Sequence, residues 1–133
     1  MVDRPWKKVG TAGDREYLAL VSYLPLRMLR STFAFLRFVR AVTAQLNQTR
    51  GLLGFTFRAK VLSKRYYTLS VWRDEGALTE FVRTLPHLET MRALGPHMGE
   101  TRFVRWTIAG SEVPPTWESA IARLEAEPTA RHP

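Results

Sequence analysis

Cysteine is absent from this 133-residue sequence. Its absence excludes disulfides, Cys-ligated zinc, iron–sulfur clusters, thiolate-ligated haem and thiol nucleophiles. It also fits a cytosolic protein. Long hydrophobic runs are missing too. The longest uncharged apolar run, Tyr17 to Leu26, falls far short of the ~20 residues a spanning helix needs. No apolar region follows the polar start Met1–Lys8, so a secretory signal is not expected. Without one, the sequon Asn47-Gln48-Thr49 reads as chance. The motifs of common chemistries are absent as well: there is no nucleophile elbow, P-loop or GxGxxG turn. Asp74 and Glu75 are adjacent and do not form the spaced carboxylate pair of a glycosidase. His87 and His97 are ten residues apart, not at HExxH zinc spacing.

What is present is one domain's worth of ordinary globular sequence, 45% apolar and 24% charged. The formal net charge is +8, which permits an anionic partner. The basic residues are spread singly along the chain, with no RNA-binding or zinc-finger pattern among them, so nucleic acid is not the favoured partner. Arg30, Arg37, Arg40 and Lys60 could still make a basic surface for lipid or nucleic acid.

Residues 1–16 read as a loose leader, 17–110 as the folded domain and 111–133 as an extension with a short helix. Glu16 to Leu24 has strand patterning that Pro25 ends. After a Ser31-Thr32 cap, Phe35, Leu36, Val39, Val42 and Leu46 recur at helical spacing, and Gly51 stops the helix. Leu52 to Leu62 and Arg65 to Arg73 alternate as strands around the short turn Ser63-Lys64, which predicts a hairpin. Asp74 is placed to cap a second helix carrying Ala77, Leu78, Phe81 and Val82. Pro86 must break that helix, and it restarts from His87 to Leu94. Thr101 to Ile108 is the last strand, and Thr116 caps the terminal helix. The order β-α-β-β-α-β predicts an α+β, ferredoxin-like fold with a four-stranded antiparallel sheet.

Two helices can cover one face of such a sheet. The third strand then offers Tyr66, Thr68, Ser70 and Trp72 on its other face, and the second strand offers Thr56 and Arg58. So aromatic a face is not expected to stay in water. A second subunit would close two sheets into a barrel, whose interior could bind a ligand or serve only as an interface. Among the three histidines, His132 belongs to a tail and His97 to a glycine-rich loop. His87, just after Pro86, could be a general base, a haem ligand or a plain helix cap.

The segment Ser70-Val71-Trp72-Arg73-Asp74, followed by Ala77-Leu78, Phe81 and Pro86-His87, resembles the spheroidene monooxygenase-like proteins. More broadly it is similar to the antibiotic biosynthesis monooxygenase-like, dimeric α/β-barrel superfamily. The likeness runs over roughly residues 17–125. It implies a homodimer with one cavity per subunit, bounded by sheet and second helix, and oxidation of an apolar or aromatic small molecule. Some members bind haem through a helix histidine, and others oxidise aromatic polyketides without a cofactor. The cofactor is therefore unknown, with haem possible and none nearly as well supported. The haem-degrading members use Asn, Trp and His where this chain has Ser22, Phe81 and Met91, so haem degradation is not implied. With haem, His87 would be the axial ligand, Arg58 would pair a propionate and Trp72 would line the cavity. Without a cofactor, Trp72 and Tyr66 would stack on the substrate while His87 or Arg58 positions its oxygen. A non-catalytic barrel binding a small ligand or haem is the alternative reading.

Overall fold

The computed structural model describes residues 2–84 and 87–126, apart from the side chains of residues 88 and 90. Pro86 and His132 lie outside the described residues. The elements are β1 (Val2–Asp3), β2 (Lys7–Lys8), β3 (Glu16–Pro25), α1 (Thr32–Leu46), β4 (Leu52–Lys60), β5 (Arg65–Trp72), α2 (Glu75–Arg83), α3 (His87–Leu94), β6 (Arg102–Ala109) and α4 (Trp117–Ala126). The four long strands pair antiparallel in the order β4-β5-β3-β6. This is the ferredoxin-like arrangement expected from the element order, with the extra helix at its C-terminal end.

The segment read as a loose leader does structural work. Strands β1 and β2 both pair with β4, Val2 opposite Ala59 and Lys7 opposite Phe55, so the sheet has six strands rather than four. The physical reason is the edge: β4 would otherwise present unpaired N–H and C=O groups to solvent. Gly54 permits this pairing, because a Cβ there would sit 2.5 Å from the Trp6 ring. The β4–β5 pairing slips between Leu52 and Gly54, and the bulge puts Leu53 with the Val71 cluster while Leu52 joins the Trp72 cluster.

The capping residues divide. Asp74 accepts the amide of Ala77 at 2.9 Å, and Thr116 accepts that of Ser119 at 3.1 Å. Ser31 makes no cap; its Oγ lies 3.2 Å from His97 Nδ1 instead.

The sheet's two faces are covered differently from the sequence expectation. Helices α1, α2 and α3 pack on the face that carries Tyr66 and Trp72, through Phe35, Leu46, Leu78, Phe81 and Leu94. The Tyr66–Trp72 face is therefore the helix-covered one, not the open one. The other face carries Leu69 and Val71, both 0% exposed. It is covered by α4, through Ala120 and Leu124 with Trp117 and Ile121 beside them. The prediction failed because it placed only two helices and left the terminal one unassigned. Yet Leu69, Val71, Val21 and Ala19 offer an apolar surface that needs a cover within the chain.

Arg102 ties α4 down further by donating from Nη2 to the Leu124 carbonyl. Replacing Leu124, 4% exposed, by Ala should cost about 2–4 kcal/mol in denaturant unfolding. Deleting residues 117–133 should expose the Leu69–Val71 face and raise the mass in solution above that of the full chain, read by light scattering.

Candidate functional site

The functional candidates start on β5, where period-two alternation sends Tyr66, Thr68, Ser70 and Trp72 toward the helices. Tyr66 is an anchor. Its ring packs on Phe35 at 4.3 Å between centroids, and its hydroxyl lies 3.3 Å from Thr32 Oγ1, so it pins the start of α1. Thr68 stands between Ser22 of β3 and Phe57 of β4 and is partly buried. Ser70 accepts a hydrogen bond from Trp72 Nε1 at 2.8 Å, which satisfies the indole inside an apolar layer.

From Trp72 a ladder of rings leads outward. Trp72 and Phe81 have centroids 5.1 Å apart, and Phe81 and His87 are 4.7 Å apart. Phe81 comes from α2, whose Asp74 cap sets the helix register. His87 opens α3. Its backbone N–H donates to Gln45 Oε1 at 3.0 Å, and Gln45 Nε2 reaches the Thr84 carbonyl at 3.4 Å. The His87 ring presents Nδ1 to the Val82 carbonyl oxygen at 3.3 Å. A carbonyl only accepts, so Nδ1 carries the proton and Nε2 keeps the lone pair. Burial pushes the imidazole pKa below its ordinary 6.5, against the smaller opposing effect of the Val82 bond. His87 is thus a neutral imidazole at neutral pH.

Beside this ladder runs an open groove of about 1050 Å³ between the second half of α1 and α2. Ala41, Ala44 and Ala77 keep its banks low, and Phe81 is its aromatic wall. Polar groups stand around it: Gln45 and Thr84 next to His87, Glu80 on α2, and Arg50, Arg73 and Asp74 at the strand ends. The groove can take a small molecule with an apolar ring against Phe81 and an oxygen within reach of Gln45 or an arginine.

Sequence reasoning brought Ser70, Trp72, Phe81 and His87 together, and the fold does the same. Other candidates fall elsewhere. Thr56 and Arg58 lie opposite Leu69 and Tyr67 in register, so they project from the α4 side of the sheet. There Thr56 Oγ1 donates to the Arg4 carbonyl at 2.5 Å. Arg58 makes a two-point pair with Asp3 at 2.7 and 2.9 Å and lies over the Trp117 ring at 4.9 Å. Met91 is 43% exposed and does not line this groove. Trp72, only 2% exposed, backs Phe81 rather than lining the groove. The groove residues Gln45, Arg50, Arg73 and Glu80 were missed. Each reads as an ordinary polar position in the sequence, and only the packing of α1 beside α2 sets them around one space.

The haem arrangement that the resemblance offered as one option, with His87 as axial ligand and Arg58 on a propionate, does not fit. Arg58 and His87 sit on opposite faces of the sheet, so no single haem reaches both. Among the described residues no cluster of three His, Asp or Glu side chains is placed to hold a metal ion.

Neither family models nor curated protein sequences give a match. Solved structures do. The fold superposes on a candidate antibiotic biosynthesis monooxygenase from Nitrosomonas europaea with a TM-score of 0.61 and 15% identity, covering 67% of this chain and 95% of that one. A second candidate of the same description, from Caulobacter crescentus CB15, gives 0.59 and 18%, covering 72% and 91%. A candidate monooxygenase from Lactobacillus acidophilus NCFM gives 0.59 and 13%, covering 76% of this chain but 50% of that one. At these identities the likeness is one of fold, and this chain has the fold of the antibiotic biosynthesis monooxygenase-like proteins.

Proposed function

We propose that the chain is a monooxygenase-like oxidoreductase acting on an apolar or aromatic small molecule in the groove between α1 and α2. The observation that carries this reading is the ladder Trp72–Phe81–His87. It sets Phe81, a wall of the groove, against an imidazole whose Nδ1 is held by the Val82 carbonyl. An electron-rich phenol suits that pair. Its ring packs on Phe81, its hydroxyl meets Gln45 or a groove arginine, and His87 beside Gln45 is the proton acceptor. The phenolate can then supply all four electrons that O2 needs. One oxygen atom becomes the new para carbonyl of a quinone, and the other leaves as water. Gln45 positions the imidazole through the His87 backbone. The narrower likeness to spheroidene monooxygenase-like proteins rests partly on Pro86.

A non-catalytic ligand-binding role is the second reading. It is favoured by one observation: of the residues gathered at the ladder, only His87 has an ionisable side chain. A homodimer remains the assembly to test. Pairing through the sheet would have to include α4 or displace it, because α4 already covers the Leu69–Val71 face.

An oxygen electrode with a panel of polycyclic phenols tests the main reading. Oxygen uptake with a product gaining one oxygen and losing two hydrogens is the expected result. His87→Ala and Phe81→Ala should each lower the rate roughly 100-fold, as loss of a positioned proton acceptor or of the stacking wall does. Thermal stabilisation by the phenols without any uptake would instead establish the binding-only role.

The pH dependence of stability follows from the depressed His87 pKa. As pH falls below about 6.5, the unfolded chain binds a proton that the folded state resists, so the contribution of the neutral imidazole is lost progressively. The unfolding free energy of wild type should therefore fall more steeply than that of His87→Gln between about pH 7 and about pH 5. Parallel curves in urea unfolding would show that His87 is not held neutral.

A further inference from the structure

The net positive charge arises in one segment, because that segment has no acidic residues. Between Tyr17 and Arg73 the sequence has ten Arg and Lys and no Asp or Glu; the remaining residues hold ten basic and twelve acidic ones. The net charge of +8 therefore comes entirely from residues 17–73.

One end of the fold gathers much of this segment. The strand β3 runs into Arg27, Met28, Leu29 and Arg30, and α1 follows at once. The turn between β4 and β5 is fastened beside them, because the Leu26 amide donates to the Lys64 carbonyl at 2.8 Å and the Tyr66 hydroxyl meets Thr32 at 3.3 Å. Along the outer side of α1, Phe33, Leu36, Arg37 and Arg40 follow helical spacing, opposite the core positions Phe35 and Val39.

This end also leaves large apolar side chains in water. Leu62 is 89% exposed and Phe33 83%, and Met28, Leu29, Leu36 and Val61 are each at least 40% exposed. Among the described residues the other exposed large apolar side chains are Val2 and Met91. Arg27, Arg30, Arg37, Arg40 and Arg65 are exposed between and beside them. The carboxylates on adjoining elements are Asp3 on β1, paired with Arg58, Glu89 on α3 and Glu100 in the loop before β6.

We propose that this end of the protein docks on a membrane surface rich in anionic phospholipid headgroups. Phe33 and Leu62, with Met28 and Leu29, enter the boundary between headgroups and acyl chains, and the arginines around them meet the phosphates. The chemistry separates a bilayer from nucleic acid. A phosphate backbone would satisfy the arginines and leave the exposed Leu62, Met28 and Leu29 without an apolar acceptor. A bilayer satisfies both sets. Among the described residues no helix is long and apolar enough to cross a membrane, so the contact is interfacial. This inference stands apart from the proposed oxidation and is tested without it.

The experiment is vesicle co-sedimentation of the full chain on phosphatidylcholine alone and on phosphatidylcholine mixed with phosphatidylglycerol. Binding to the mixed vesicles and not to the neutral ones is expected, weakening as salt is added. F33E/L62E should weaken it at least ~10-fold by removing the buried apolar groups. R30Q/R37Q/R40Q should weaken it roughly 100-fold if each charge contributes as surface cations do. All five positions are exposed, and unchanged circular dichroism confirms that the variants fold. Equal binding by both variants and wild type overturns the proposal, as does equal binding to neutral and anionic vesicles. A duplex RNA or DNA bound more tightly than the vesicles, with F33E/L62E having no effect, assigns the surface to nucleic acid instead. A fall in solution mass on F33E/L62E, with no vesicle binding by wild type, assigns it to a second copy of the chain.

Discussion

Alternation along β5 obliges the chain to cover two apolar surfaces at once. Tyr66, Thr68, Ser70 and Trp72 face one way, while Tyr67, Leu69 and Val71 face the other. A strand in the middle of a sheet cannot leave either set wet, since each buried Val, Leu or Trp side chain is worth about 1.5–3 kcal/mol of transfer free energy. Both layers of the molecule follow from this. Helices α1 to α3 meet the first set and α4 the second. The ring ladder, the position of His87 and the groove beside it exist because the helix layer must close over Trp72.

The same constraint explains why the fold was legible and the face assignment was not. Period-two and period-three-to-four patterning mark the long strands and the helices directly. The Asp74 and Thr116 caps are local, so they survive into the structure. Which face a helix covers is not local. The face with Trp72, Tyr66 and two hydroxyls was read as the one outside the helix-packed layer. These side chains are tolerated within that layer because Ser70 takes the indole N–H and Thr32 meets the tyrosine hydroxyl. The bulge near Gly54 was equally hidden. Its glycine is required by Trp6, forty-eight positions earlier in the chain.

Those details decide what became of the candidate site. Ser70, Trp72, Phe81 and His87 are linked by a strand and the two helices that follow it, so sequence proximity was a fair guide. Arg58 was linked to them only by an assumed face. Its actual position, beside Asp3 and Trp117 on the α4 side, makes it a brace between the amino-terminal strand, the sheet and the last helix. The polar residues of the groove were out of reach of any local pattern. Gln45 and Arg50 come from α1 and its exit, and Arg73 and Glu80 from β5 and α2.

Helix α1 shows how one short element can serve three surfaces without conflict. Its inward stripe, Phe35, Val39, Val42 and Leu46, belongs to the core clusters. The outer side of its second half, Ala41, Ala44 and Gln45, forms a bank of the groove. The outer side of its first half carries Phe33, Leu36, Arg37 and Arg40. Since 3.6 residues per turn keep the inward stripe separate from the outer ones, Phe33 contributes almost nothing to folding. A large aromatic held 83% exposed on a helix that already has enough core positions is not needed for the fold, so the proposed membrane contact can use it at no cost to the core.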